Sequence, residues 1–158
     1  MNGFHYDTSD ASGTDVLGHV LAELLPDGTT VALYGTLGAG KTRLVQAIAA
    51  AAGVERREVI SPTFVLVQEY HGRRSLCHID AYRLRDEDEF EQLGPDEFLE
   101  SDAVTLIEWA DRIAGCLPKQ RVEIEIEITG SHARRFRITA VGDRYVPVVA
   151  ACEKRLRQ

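Results

Sequence analysis

Residues 29–42, TTVALYGTLGAGKT, decide how the rest of the chain is read. After Thr30 the run Val31, Ala32, Leu33, Tyr34 has no polar alternation, as expected of a strand covered on both faces of a parallel sheet. Lys41 to Ala52 is alanine-rich and helix-favouring, and Gly53 stands where a left-handed C-cap belongs. Between them Gly35, Gly38, Gly40, Lys41 and Thr42 satisfy GxxxxGK[ST]. Glycines let backbone N–H groups curl around phosphate oxygens at a helix N-terminus. The lysine brings a mobile positive charge and the threonine hydroxyl is a magnesium ligand. Strand, glycine loop, helix is the setting the pattern requires, so a phosphate site is expected here instead of a plain glycine turn.

At 158 residues the chain fits one domain, 1–158, with a helical tail over about 144–158. Hydrophobic residues make up 44% and charged residues 27%, ordinary for a globular protein. No apolar stretch approaches the ~20 residues that span a bilayer. The start, MNGFHYDTSDASG, is polar and acidic and unlike a signal peptide. Cys77, Cys116 and Cys152 are odd in number and far apart, with no CxxC pair, which argues against a disulfide framework and a zinc site. A reducing, cytoplasmic setting follows. A net charge of −7 would repel a phosphate backbone, so any nucleic-acid role is expected to run through partners.

Outward from the loop, Val16, Leu17, Val20, Leu21, Leu24 and Leu25 have the spacing of an amphipathic helix over Thr14–Leu25, stopped by Pro26, Asp27 and Gly28. Phe64–Tyr70, the turn HGRR (71–74) and Ser75–Leu84 read as a hairpin. The acidic stretch Asp86–Asp102 reads as two short helices parted at Gly94 and Pro95. AVTLIE (103–108) reads as a second buried strand ending on a carboxylate. Val122, Ile124, Ile126 and Ile128 alternate with glutamates, a strand with one wet face that Arg135–Val141 can pair with. Val146–Gln158 reads as a short helix. The fold expected is α/β: a P-loop NTPase domain with a mixed, mostly parallel central sheet flanked by helices and antiparallel strands toward the C-terminus.

Magnesium in such sites is held by the loop hydroxyl and a carboxylate at a neighbouring strand end, which makes Glu108 the best candidate. Asp80 is the other strand-borne acid. If Ser75–Leu84 is a strand, His78, Asp80 and Tyr82 share a face, and a carboxylate beside an imidazole can orient water. The plainer alternatives are a structural histidine and a turn-capping aspartate. The absence of an NKxD-like stretch favours ATP over GTP. Arg73 with Arg74, Arg83 with Arg85, and Arg134 with Arg135 and Arg137 each offer charge for a γ-phosphate, although most arginines only solvate a face. The run Asp86–Glu91 reads as a helix surface, and Trp109 as core or as a partner-facing aromatic.

GTLGAGKT (35–42), SPTF (61–64), HIDAYRL (78–84) and IEWADR (107–112), in this order and spacing, closely resemble the TsaE (formerly YjeE) family, P-loop ATPases that assist in making threonylcarbamoyladenosine on tRNA. The resemblance covers most of the chain and implies slow, Mg2+-dependent ATP hydrolysis beside the partners TsaD and TsaB, with tRNA met only through the complex. It implies that Leu37, Gly38, Ala39, Gly40, Lys41 and Thr42 cradle phosphates, that Thr42 and Glu108 hold magnesium, and that Asp80 acts near the γ-phosphate. Ser61 and Thr63 would belong to a switch-like segment, Trp109 would lie close to the site, and Asp10 to Ser12 would lie near the base. Thr36, Val65, Ala81 and Ala110 depart from the family's usual Asp, Thr, Leu and Pro, and none is a phosphate or metal ligand. Two other readings stand beside this one: a small-molecule kinase, and a nucleotide-sensing module with little hydrolysis.

Overall fold

The computed structural model describes residues 2–59 and 67–158. In chain order they form β1 (Gly3–Thr8), α1 (Ala11–Leu24), β2 (Thr30–Tyr34), α2 (Lys41–Ala51), β3 (Val67–His71), β4 (Ser75–Asp80), α3 (Glu87–Glu91), α4 (Asp96–Leu99), β5 (Val104–Glu108), a 3-10 segment at Ala110–Cys116, β6 (Arg121–Ile128), β7 (Arg134–Val141) and α5 (Val146–Leu156). The strands share one sheet in the order β1-β7-β6-β2-β5-β4-β3. Its centre, β6-β2-β5-β4, is parallel, and both margins are antiparallel: β7 and β1 on one side, β3 on the other.

The centre is parallel because β2 and β5 are apolar on both faces and each is covered twice. Val31 and Leu33 face one core with α1, α2 and α5, while Ala32 and Ile107 face a second core with Phe90, Phe98 and Ile113. The expected helix ahead of β2 starts at Ala11, earlier than its apolar spacing indicates. Asp10 supplies the reason: its carboxylate accepts the Ser12 N–H at 2.9 Å and caps the first turn. Gly53 does adopt a left-handed φ of +90° just past α2, and Gly94, at φ +68°, parts the two short acidic helices.

One strand was not expected. GFHYDT pairs antiparallel with β7 along its whole length, with Phe4 and Thr8 buried and Tyr6 against Phe136 at a ring separation of 6.5 Å. The hairpin expected from Phe64 is described from Val67 on, and its second strand ends at Asp80, so Ala81–Leu84 lies outside the sheet.

Parallel pairing sets up the site. In β5, Glu108 lies opposite Leu33 of β2 and opposite Asp80 of β4, so the two acids end adjacent strands at the edge where the β2–α2 loop leaves the sheet. Ligands of open parallel sheets gather at the carboxyl ends of such strands.

Candidate functional site

The loop after β2 depends on positive φ. Gly38 and Gly40 stand at φ +81° and +113°, where a side chain would strain the backbone, yet a Cβ on either would meet nothing within 4 Å. The concave side is open, as a phosphate cradle requires. α2 begins directly from this loop with no side-chain cap, so its first N–H groups are left for an anion. Leu37, 80% exposed, stands over the opening, while Ala39 turns its methyl into the core.

Lys41 is folded back on its own loop. Nζ donates to Gly35 O at 2.5 Å and Thr36 O at 3.1 Å and lies 3.9 Å from the ring centre of Trp109. Burial pushes its pKa below the usual lysine range, and the Glu108, Asp111 and Asp80 carboxylates oppose the shift.

Thr42 points its hydroxyl at Glu108, 2.9 Å from each carboxylate oxygen. Glu108 is buried, and on its inner side Oε2 lies 2.6 Å from Nε2 of the fully buried His78. Beyond, His78 Nδ1 is 3.2 Å from the Tyr70 hydroxyl, which donates to Gln68 Oε1 at 2.7 Å; burial holds that phenol up at about 12. The imidazole therefore braces Glu108, one strand over, and not Asp80 on its own strand. Register explains this, because the side chain opposite His78 in β5 is Leu106, two residues before Glu108 on the same face.

Asp80 Oδ1 accepts the Tyr82 N–H at 2.9 Å, so the turn-capping expectation is met while the carboxylate also lines the cavity. Trp109 takes the left-handed conformation at φ 59°, rare for an aromatic residue and a strain that clusters at functional sites. Its ring lies 4.9 Å from that of Tyr82, tilted by 49°, and receives Lys41 on its face, which places it at the site itself. Leu37, Gly38, Gly40, Lys41, Thr42, Asp80, Glu108 and Trp109 thus surround one open cavity of about 390 Å³. Gly35 lies outside its wall and acts through the carbonyl that receives Lys41. Ser61 and Thr63 fall outside the described residues.

The arginines divide. Arg83 lines the cavity; Arg74 ties Ala22 O and Asp27, Arg85 pairs with Glu89, and Arg135 with Asp7, all away from it. Of the acidic run, Asp86 caps α3. Arg43 pairs with Asp15 of α1 at 2.9 Å and borders both that cavity and a second one of about 250 Å³, walled also by Ala11, Thr14, His132 and Arg134. Nothing in the spacing of the sequence singled out Asp15, Tyr70 or Gln68. Among the described residues no three His, Cys, Asp or Glu side chains converge to cage a metal by themselves. A hydroxyl and a carboxylate meeting beside an anion cradle fit a hard cation that takes its remaining ligands from phosphate and water.

A glycine loop between a buried parallel strand and a helix, with an acidic strand end beside it, defines a P-loop protein of the α/β class. The chain belongs to the TsaE family: residues 8–136 match the family described as Threonylcarbamoyl adenosine biosynthesis protein TsaE. It is 38% identical over 146 residues, 92% of this chain and 90% of the relative, to the tRNA threonylcarbamoyladenosine biosynthesis protein TsaE of Bacillus subtilis (strain 168). The protein of the same name from Treponema pallidum (strain Nichols) is 38% identical over 81% of this chain and 94% of its own length. A crystal structure of Bacillus subtilis YdiB superposes with a TM-score of 0.82 at 30% identity, covering 97% of this chain and 95% of that one.

Proposed function

We propose that this chain binds ATP with Mg2+ and hydrolyses it slowly in the cytoplasm, as the ATPase component of tRNA threonylcarbamoyladenosine biosynthesis, acting with TsaB and TsaD. Membership of the family and the names of its relatives support the pathway. The observation that carries the nucleotide chemistry is the meeting of Thr42 and Glu108 at 2.9 Å beneath the open glycine loop.

Leu37 to Thr42 would hold the phosphates, with Lys41 leaving the Gly35 and Thr36 carbonyls for the outer phosphates. Thr42 and Glu108 would hold magnesium, which when bound neutralises charge on the β- and γ-oxygens. His78 keeps Glu108 aimed at Thr42. Asp80, next to Glu108 in register, would take the proton of an attacking water, its carboxylate steadied by the Tyr82 amide. Asp80→Ala is expected to leave ATP affinity within about threefold and to slow hydrolysis by ~100-fold or more. Lost binding with a normal residual rate would reassign Asp80.

The deciding experiment is reconstitution of tRNA modification from this chain, TsaB, TsaD, a TsaC-type enzyme that makes the threonylcarbamoyl donor, ATP and unmodified tRNA. Multiple turnovers should need the chain and fail with Lys41→Ala. Equal modification without the chain would sink the reading, and phosphorylated product from an acceptor screen would turn it into a kinase.

A further inference from the structure

Arg134 opens β7, just after the turn that leaves β6. Its guanidinium is spent on backbone carbonyls from two separate loops. Nε donates to Ala39 O at 2.9 Å and Nη2 to Gly38 O at 3.5 Å, both in the glycine loop; Nη1 donates to Gly130 O at 3.1 Å and Ala133 O at 2.8 Å, both in the β6–β7 turn. A planar group with donors fixed in a fork suits such a clamp, and a lysine's single ammonium on a flexible stem does not. The Arg134 backbone is itself held between strands, opposite Thr8 of β1 and Ile128 of β6, so the clamp has a rigid base.

Peptide planarity gives the clamp its consequence. Across a trans peptide the carbonyl of one residue and the N–H of the next point in opposite directions, and this chain contains no cis bond among its described residues. With Ala39 C=O fixed on Arg134, the Gly40 N–H is turned away from it. Gly40 and Gly38 are the residues most able to flip their peptides, because both sit at positive φ without a Cβ. Ala39 N–H is already spent on Thr36 O at 3.0 Å, so the amide whose direction the clamp on Ala39 O sets is that of Gly40.

We propose that Arg134 is a positioning residue for the phosphate loop: it touches no phosphate, locks the Ala39–Gly40 peptide so that the Gly40 N–H faces the phosphates, and ties that geometry to the β6–β7 turn. The inference rests on the nucleotide reading above and assigns it a residue outside the GxxxxGK[ST] pattern. The turn it grips carries Ser131 and His132, which wall the second cavity together with Gly38 and Gly40. One side chain therefore joins the loop to the neighbouring wall.

The test is calorimetric titration of the full chain with MgADP and with inorganic tripolyphosphate, for wild type, Arg134→Gln, Arg134→Lys and, as a control on the same strand, Arg137→Gln. Arg134→Gln should weaken both ligands by the same factor, about tenfold, the loss that a misaimed charge-assisted contact brings. Arg134→Lys should recover less than half of that loss on a logarithmic scale, and Arg137→Gln should bind as wild type. A merely structural role would lower the melting temperature of the free protein and leave both affinities unchanged, which overturns the proposal. Full recovery by Arg134→Lys would also overturn it, in favour of simple charge attraction. If Arg134→Gln does not fold, Arg134→Lys decides alone: both ligands weakened by about threefold or more supports the proposal, and wild-type affinity overturns it. Failure of the wild-type chain to bind MgADP would overturn the nucleotide reading and this inference with it, whereas wild-type binding with an unaffected Arg134→Gln overturns this inference alone.

Discussion

Lys41, Glu108 and His78 show how the site keeps its polar groups in order. The ammonium is parked on two carbonyls and an aromatic face, and the carboxylate is shared between a hydroxyl and an imidazole. Lys41→Ala removes the charge that phosphates would capture, and an ATP affinity lower by ~100-fold or more is expected by calorimetry. The lowered Lys41 pKa also has a sign in stability. The unfolded chain, with lysine near 10.5, keeps its proton to higher pH than the folded one, so stability gains as pH rises between the two values. Wild type should therefore gain on Lys41→Met in urea midpoints across the alkaline range, and a flat difference would contradict the assigned burial. For His78→Ala, Glu108 loses its inner anchor. The Mg2+ concentration that half-saturates ADP binding should rise about tenfold, while metal-free ADP binding stays put. An unchanged metal titration would make His78 a core residue only.

At the scale of elements, α1 against α2 decides how firmly the helix behind the glycine loop is held. Gly18 costs α1 intrinsic helicity, roughly 1 kcal/mol against alanine. Its place is explained by packing, because a Cβ there would lie 2.4 Å from Ala47 Cβ and 2.9 Å from the Ile48 backbone N of α2. Gly18→Ala should therefore destabilise the protein by about 1–3 kcal/mol despite the better propensity, measured by chemical denaturation. A gain in stability would show that α1 can back away from α2 freely. The elements around the loop were legible because their patterns are unmixed: an apolar run for β2 and β5, alternation for β6. GFHYDT was missed for the opposite reason. Its alternation of Phe4, Tyr6 and Thr8 with His5 and Asp7 is a valid strand signal, masked by reading the polar start as a unit.

The whole molecule is a sheet with helices over both faces, and its cysteines report how well that cover is sealed. Burial holds Cys77 up at about 12 and Cys152 at about 11; burial, reinforced by hydrogen bonds that the thiol donates to Glu91 and Glu87, holds Cys116 at about 12. Thiolate is the reactive form, so labelling of the folded chain should be slow at pH 8 and climb about tenfold per pH unit to pH 10, while the denatured chain reacts at once. Rapid labelling of Cys77 or Cys152 at pH 8 would mean that one of the two cores opens, since Cys116 is only partly buried. No described helix is long and apolar enough to cross a membrane.

What the sequence determined alone is whatever depends on local order: the strand, loop and helix around GTLGAGKT, the acid closing AVTLIE, and the family these motifs mark. What only the tertiary structure decided is which side chains meet across strands. His78 stands two residues from Asp80 in the chain yet serves Glu108, 30 positions away. Arg134 grips a loop 95 positions before it. The parallel register of β4 on β5 chose the first partner, and the place of the start of β7 beside the glycine loop chose the second; neither separation is fixed by local sequence, because both are properties of the assembled sheet.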